Sequence, residues 1–108
     1  MHHSEGNILK NLPDSAREEI CTILHSTKNI RIEHIVSSGQ TSPETGWYDQ
    51  DEQEWVVLLE GDAKLEFEDS RIIHIYKGDY LLIAAHQKHK VIYTSTEPSC
   101  VWLAVFFQ

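Results

Sequence analysis

The chain has 108 residues, which is enough for one domain with a single hydrophobic core but not for two. Apolar residues make up 41% of it and charged residues 24%, proportions typical of a soluble globular protein. Seventeen acidic residues against nine basic ones give a net charge of −8. Nucleic-acid phosphates and anionic membrane surfaces repel so acidic a chain, so we expect no nucleic-acid partner and no membrane partner.

Targeting signals and cysteine usage bear on the compartment. The first residues, M-H-H-S-E-G-N, contain neither the basic region nor the apolar region of a signal peptide, and no apolar run is long enough to span a membrane. Cys21 and Cys100 have neither C-x-x-C nor zinc-finger spacing, and we expect both to be small buried hydrophobes. A cytoplasmic protein is therefore expected.

Residues 1–28 are predicted to form an N-terminal arm that contains one short helix. Asp14 or Ser15 can cap the helix, and Glu18 stands three residues after Ser15, as in a capping box. Four apolar residues then fall on one helical stripe. The helix is expected to pack on the body of the domain through this stripe, which consists of Ala16, Ile20, Ile23 and Leu24.

From residue 29 to residue 108 the apolar pattern changes to a period of two, which predicts strands. The runs 55–59 and 63–68 flank Gly61 and are predicted to pair as a hairpin. The apolar run 100–107 must be paired within the fold or at a dimer interface, because an exposed strand of this kind aggregates. Short strands without βαβ alternation predict an antiparallel barrel or sandwich, with strands at 30–36, 55–59, 63–68, 70–76, 80–83, 89–94 and 100–107.

Two short motifs in this all-β region resemble those of the cupin family. Glu54, six residues and then Gly61 match the second half of the first cupin motif, G-x5-H-x-H-x3-4-E-x6-G. The second motif, G-x5-P-x-G-x2-H-x3-N, is followed in part further along the chain. Its counterpart here begins at Gly78 and continues with five residues, A-A-H, two residues and then His89. The chain therefore resembles a small single-domain cupin from about residue 30 to residue 107. The resemblance implies a double-stranded β-helix, or jelly-roll barrel, of two sheets with a pocket at one mouth.

The resemblance also implies a metal site, but only half of its ligands are present. Metal-dependent cupins hold iron, manganese, nickel or zinc through the H-x-H pair, the glutamate and the histidine of the second motif. Glu54 and His89 occupy the last two of these positions. The H-x-H pair falls instead on Trp47 and Asp49 or on Tyr48 and Gln50, depending on the spacer. Carboxylate and amide oxygens suit hard divalent ions, so the resemblance implies a weak site made of His89, Glu54, Asp49 and Gln50.

The residues of the predicted pocket follow from the position of His89. His89 and Tyr93 share one face of a strand by the period of two, so Tyr93 is expected to face the barrel interior as well. His86 is close to His89 in the chain, and the aromatic residues before Glu54 could stack on a sugar or an aromatic ligand. The expected pocket is lined by Trp47, Tyr48, Glu54, His86, His89 and Tyr93.

Three functions are compatible with these residues. The leading hypothesis is a small-molecule-binding cupin in which Glu54 and His89 orient the ligand, with or without a weakly held metal. The alternative is a metal-dependent enzyme, an oxygenase or a sugar isomerase, in which Asp49 or Gln50 replaces the missing histidines. The third is a dimerisation module without a ligand, and a homodimer is expected in every case. The chain has no nucleophile elbow, phosphate-binding glycine loop or HExxH motif.

Overall fold

A computed structural model describes residues 4–42 and 46–108. The strands of this part of the chain form two antiparallel sheets, which confirms the predicted all-β jelly roll. One sheet has the strand order β1-β2-β8-β3-β6 and the other the order β5-β4-β7. The strands are β1 (Ile20–Ser26), β2 (Ile30–Ser37), β3 (Gln53–Glu60), β4 (Asp62–Phe67), β5 (Ile72–Tyr76), β6 (Tyr80–Ile83), β7 (His89–Thr94) and β8 (Cys100–Phe107).

The predicted N-terminal helix is wrong, because the described residues contain no helix. Residues 16–18 form bends, and most of the predicted apolar stripe lies in or next to β1, which pairs with β2 from Ile20 opposite Val36 to Ser26 opposite Arg31. Asp14 caps only a turn, in which its Oδ1 accepts a hydrogen bond of 2.9 Å from the Ala16 N–H. The capping signals are local, whereas the free edge of β2 offers a full ladder of backbone hydrogen bonds to a segment rich in β-branched residues.

The core lies between the two sheets and follows the alternation of the strands. In β4 the side chains of Ala63, Leu65 and Phe67 are buried, whereas Lys64 is exposed. In β8 every second residue from Cys100 to Phe106 is buried in the same core. Because β8 pairs with β2 on one side and β3 on the other, both edges of this apolar strand are satisfied. The prediction that the run 100–107 must be paired is therefore confirmed.

The predicted hairpin around Gly61 is wrong. Strand β3 belongs to the five-stranded sheet and pairs with β6 and β8, whereas β4 belongs to the three-stranded sheet and pairs with β5 and β7. Gly61, with a φ of +87°, lies at the corner where the chain leaves one sheet for the other. After the corner, the Asp62 N–H donates to Ser95 Oγ at 3.1 Å, and the Cys100 thiol donates to the Asp62 carbonyl at 3.1 Å. The chain does turn at Gly61, but a turn signal in the sequence does not distinguish a hairpin from a sheet-to-sheet corner.

Residues 4–42 and 46–108 contain no helix long and apolar enough to cross a membrane.

Candidate functional site

A cavity of about 200 Å³ lies between the two sheets, where β3 and β7 begin and β6 ends. Both sheets and the segment before β3 contribute to its walls, which are mostly apolar. The apolar walls are made by Ile35, Val56, Leu65, Ile83, Val91, Trp102 and Phe106. The polar and remaining lining residues are Glu19, Cys21, Glu33, Tyr48, Gln50, Glu54, His89 and Thr94.

The segment before β3 reaches the cavity because it pairs with the opposite sheet. The Tyr48 N–H donates to the His89 carbonyl at 2.8 Å, and the His89 N–H donates to the Tyr48 carbonyl at 3.2 Å. Two residues later, the Gln50 carbonyl accepts a hydrogen bond of 2.8 Å from the His86 N–H. These backbone bonds hold Tyr48 and Gln50 beside the first residues of β7, so that both side chains line the cavity.

Glu54 is a nearly buried carboxyl group on the cavity wall. It lies in β3 between Phe106 of β8 and Ile83 of β6, and its side chain is 13% exposed. Burial raises the pKa of this carboxyl group to about 7. The Gln50 amide, which donates to Glu54 Oε1 at 3.3 Å, opposes this increase, and the negative charge of Glu33 adds to it. Glu54 is therefore able to hold or release a proton near neutral pH.

His89 is the second polar group of the cavity, and its side chain is only 5% exposed. Its Nδ1 lies 2.9 Å from the Gln87 carbonyl, which can only accept, so Nδ1 carries the proton. In the neutral ring the other nitrogen, Nε2, is therefore an acceptor. It lies 3.8 Å from Glu54 Oε1, beyond hydrogen-bond distance. The rings of Tyr48 and Phe67 flank the imidazole, with centroids 5.6 Å and 6.1 Å away.

The side chains around this pair do not form a complete metal site. In residues 4–42 and 46–108, no group of three or more His, Cys, Asp or Glu side chains is arranged to hold a metal ion. Asp49 is not in the cavity lining, because its Oδ1 lies 2.8 Å from His86 Nδ1. The Gln50 amide nitrogen is directed towards Glu54. A transition metal that is bound permanently takes four or more ligands, and the protein commonly supplies three of them. The donor side chains around Glu54 and His89 are too few for such a metal.

Four of the predicted site residues line the cavity and four do not. Tyr48, Gln50, Glu54 and His89 are brought together there. The other four, namely Trp47, Asp49, His86 and Tyr93, lie outside the lining.

The residues outside the cavity have partners of their own on the surface. The Trp47 ring lies under Lys90 Nζ, 4.4 Å from the ring centroid. His86 is exposed and lies between two carboxylates, with Nε2 3.2 Å from Asp51 Oδ1 and Nδ1 on the Asp49 side. Cation–π and ion-pair contacts on the surface satisfy these side chains outside the cavity.

Tyr93 does not face the barrel interior as expected, because the register between β7 and β4 shifts just before it. Val91 lies opposite Leu65, but Tyr93 lies opposite Lys64, so β7 contains an extra residue between them. Such a bulge reverses the faces of the residues that follow it. Tyr93 consequently is 40% exposed, with Lys64 Nζ 5.7 Å from its ring centroid, and Thr94 takes the place in the cavity lining.

Sequence reasoning missed Glu33, which lines the cavity from β2. Arg31 and Glu33 alternate with apolar residues, a pattern that ordinarily places the charges towards solvent. In the structure they face the barrel interior, where Arg31 forms ion pairs with Glu33 and, at 3.2 Å, with Glu52. The alternation showed that Arg31 and Glu33 share a face, but no local signal indicated which face is interior.

The expectation of a buried Cys21 is also corrected. Cys100 is fully buried, but Cys21 is exposed on the edge strand β1, where it borders the cavity. Partial desolvation and the negative charges of Glu19 and Glu33 raise the pKa of its thiol to about 12. A thiol that stays protonated is a poor nucleophile, so Cys21 is not a candidate for covalent catalysis.

Comparison with known proteins gives a consistent result. The family model described as "Cupin domain" matches residues 33–106. A structure from Ralstonia eutropha JMP134, provisionally named a mannose-6-phosphate isomerase, is 37% identical, with a TM-score of 0.92 over 98% of this chain and 99% of that chain. An RmlC-like cupin protein from Desulfovibrio desulfuricans is 18% identical, with a TM-score of 0.76 over 97% of each chain, and shows the fold alone. A search of curated proteins finds no match.

Proposed function

This chain belongs to the cupin family, and on that premise we propose that it binds a small polar molecule in the cavity between its sheets. The observation that carries the proposal is the pair formed by Glu54 and His89. Both side chains are nearly buried, they face each other across 3.8 Å, and apolar walls surround them. A concave apolar site with a few convergent polar groups is the usual form of a small-molecule site.

The pair leaves hydrogen-bonding capacity for a ligand. Buried polar groups are nearly always hydrogen-bonded, yet His89 Nε2 is too far from Glu54 Oε1 to bond it, and Glu54 Oε1 accepts one long bond, of 3.3 Å, from the Gln50 amide. A hydroxyl or amino group between them would bond to both. The fixed proton on Nδ1 makes His89 an acceptor towards the cavity, and Glu54, with a pKa of about 7, offers either a donor or an acceptor.

We expect His89→Gln to weaken ligand binding tenfold or more, because the Nε2 acceptor that the ring holds in a fixed position is replaced by a flexible amide that can turn its NH2 group towards the ligand. The measurement is a thermal-shift screen of sugars, amines, amino acids and carboxylic acids, followed by calorimetric titration of every compound that stabilises the wild type. His25→Gln is the matched control, since His25 is exposed on β1 and is not part of the cavity lining. Unchanged affinity in His89→Gln would contradict the proposal.

The second candidate function is a metal-dependent cupin enzyme, in which substrate or water would have to supply the ligands that Glu54 and His89 do not provide. The hydrogen bond from His89 Nδ1 to the Gln87 carbonyl favours it, because metal-binding histidines are commonly oriented in this way. The name of the 37% identical protein suggests a sugar isomerase as the reaction. Elemental analysis of protein purified without chelator, before and after soaking with iron, manganese, nickel and zinc, decides this candidate. Stoichiometric metal, together with isomerisation of mannose 6-phosphate, would establish it in place of metal-free binding.

We also propose that the protein is a homodimer that associates through the outer face of the five-stranded sheet. An apolar row crosses this face from β8 through β3 to β6 and consists of Val105, Trp55 and Leu82. Leu82 is 59% exposed and the neighbouring Tyr80 is 65% exposed. Contiguous exposed apolar surface of this kind commonly marks a protein–protein interface.

Light scattering is therefore expected to give twice the 12.5 kDa mass of one chain. Leu82→Lys should shift the protein towards the monomer, because it places a charge in the apolar row. The control is Ile72→Lys, since Ile72 is similarly exposed, at 56%, but belongs to the three-stranded sheet. A monomeric wild type, or equal effects of the two substitutions, would count against this interface.

A further inference from the structure

We propose that the ligand of this cavity is a small organic cation, an alkylammonium group on a short apolar body, and that phosphorylated or carboxylated molecules are excluded. The inference rests on the proposed binding function and specifies the class of molecule that the same cavity takes. It follows from the charges, the rings and the hydrogen-bonding atoms of the lining.

The charged groups of the lining are predominantly acidic. Glu19, Glu33 and Glu54 contribute carboxyl groups, whereas no lysine or arginine is present among the lining residues in the part of the chain that the structure describes. The neighbouring cation, Arg31, forms ion pairs with Glu33 and Glu52. Its guanidinium also lies 4.3 Å from the centroid of the Phe106 ring. Arg31 therefore offsets part of the negative charge of Glu33, but its Nε and Nη1 donate to Glu33 and Glu52 and are not free for an incoming anion.

The polar atoms that face the cavity are chiefly acceptors. His89 carries its proton on Nδ1, which donates to the Gln87 carbonyl, so Nε2 is directed towards the Glu54 side as an acceptor. The Glu54 carboxylate is acceptor-only when ionised. His89 is 5% exposed and its Nε2 is beyond hydrogen-bond distance of Glu54. An ammonium group donates up to three hydrogen bonds and would satisfy both atoms.

Aromatic and aliphatic side chains complete the match to an alkylammonium ion. Tyr48, Trp102 and Phe106 line the cavity together with the acids. Cations are attracted to the faces of aromatic rings, and the attraction increases where water is excluded. The aliphatic walls, which include Val56 and Val91, suit the hydrocarbon part of such a molecule. Among the described lining residues, a phosphate monoester would meet the carboxyl groups of Glu19 and Glu54, a third in Glu33 that is paired with Arg31, and no lysine or arginine.

The test uses four probes of equal chain length that differ in charge: butylammonium, 1-butanol, butyrate and butyl phosphate. Binding is followed by amide chemical shifts of the cavity residues in the wild-type protein at pH 8, at which butylammonium keeps its charge. We expect butylammonium to bind at least tenfold more tightly than 1-butanol, and butyrate and butyl phosphate to leave the cavity resonances unchanged.

Two variants separate a specific site from general attraction to an acidic protein. Glu54→Gln should weaken butylammonium binding about tenfold and 1-butanol binding much less, because glutamine keeps hydrogen-bonding atoms at this position but not the negative charge. Glu68→Gln removes the same charge from an exposed position, at which Glu68 pairs with Lys88 at 3.4 Å, and should change neither affinity. Equal losses in the two variants, or binding of butylammonium no tighter than that of butanol, would overturn the inference.

The outcomes also distinguish this inference from the proposed function. If a neutral or anionic compound from the thermal-shift screen binds and loses affinity in His89→Gln, the binding function stands and the cation preference is wrong. If no compound of any charge moves the cavity resonances, both are wrong.

Discussion

Replacing Gly61 with alanine is expected to lower the free energy of unfolding by about 3–5 kcal/mol. The φ of +87° at this position strains any residue with a Cβ, by about 1–2 kcal/mol. The added Cβ would also lie 2.6 Å from Ser95 Oγ and 3.0 Å from both Cα and Sγ of Cys100. Urea unfolding followed by tryptophan fluorescence measures the loss.

The corner cannot relax easily, because the crowded atoms are already engaged. The Ser95 hydroxyl accepts from the Asp62 N–H at 3.1 Å and donates to the Pro98 carbonyl at 2.7 Å. Rotating it away from the new methyl group would break both bonds, each of which contributes about 1 kcal/mol. The Cys100 atoms belong to β8, the strand shared by β2 and β3, so moving them disturbs the five-stranded sheet.

The Gly78→Ala variant separates the effect of backbone strain at positive φ from the effect of crowding around the added Cβ. Gly78 has a similar φ of +92°, but a Cβ there would meet no atom within 4 Å. We expect this variant to lose only about 1–2 kcal/mol, from backbone strain alone. If both variants lose the same stability, the close packing of the corner is not what makes Gly61 necessary.

The second large effect is a pH-dependent gain of stability when Glu54 is replaced with glutamine. Burial raises the pKa of Glu54 from 4.5 to about 7, so the native state binds this proton more tightly than the unfolded state does. Between those two pH values the native state holds more protons, and the free energy of unfolding falls as pH rises. The glutamine side chain does not titrate and avoids this fall.

We expect Glu54→Gln to match the wild type within about 1 kcal/mol near pH 4 and to exceed it by up to about 3 kcal/mol at pH 8. The charges nearest to Glu54 work in opposite directions, since Glu33 raises its pKa and Arg31 lowers it. Urea unfolding curves at intervals from pH 4 to pH 8 give the difference. Glu68→Gln, at an exposed position, should show no such trend, and a gain independent of pH in Glu54→Gln would refute the assignment.

A carboxyl group that lowers stability at neutral pH calls for a functional explanation. Stability is commonly sacrificed where a site must hold a buried ionisable group for its ligand. Glu54 fits this description, because its side chain is 13% exposed and its partner across the cavity, His89, is 3.8 Å away. If the cavity prefers cations, ligand binding should recover part of the stability that the buried Glu54 carboxylate removes. Butylammonium should therefore raise the stability of the wild type more than it raises that of the Glu54→Gln variant.

By itself the sequence determined the all-β architecture and the two residues on which the proposed site depends. The alternation of residues 63–67 and the apolar run of β8 are local properties, and each requires a strand with a buried face. The motif spacings around Glu54 and His89 identified both sides of the cavity, although the two residues lie in different sheets.

The tertiary structure alone decided the features that depend on distant neighbours. Residues 20–26 form a strand because the edge of β2 is free to pair with them, and this pairing outweighs the local helix caps. Tyr93 faces outward because a bulge shifts β7 against β4. Glu33 lines the cavity because its alternating strand presents that face to the interior. Local periodicity tells which residues share a face, but only long-range pairing decides which face is buried and which strands meet.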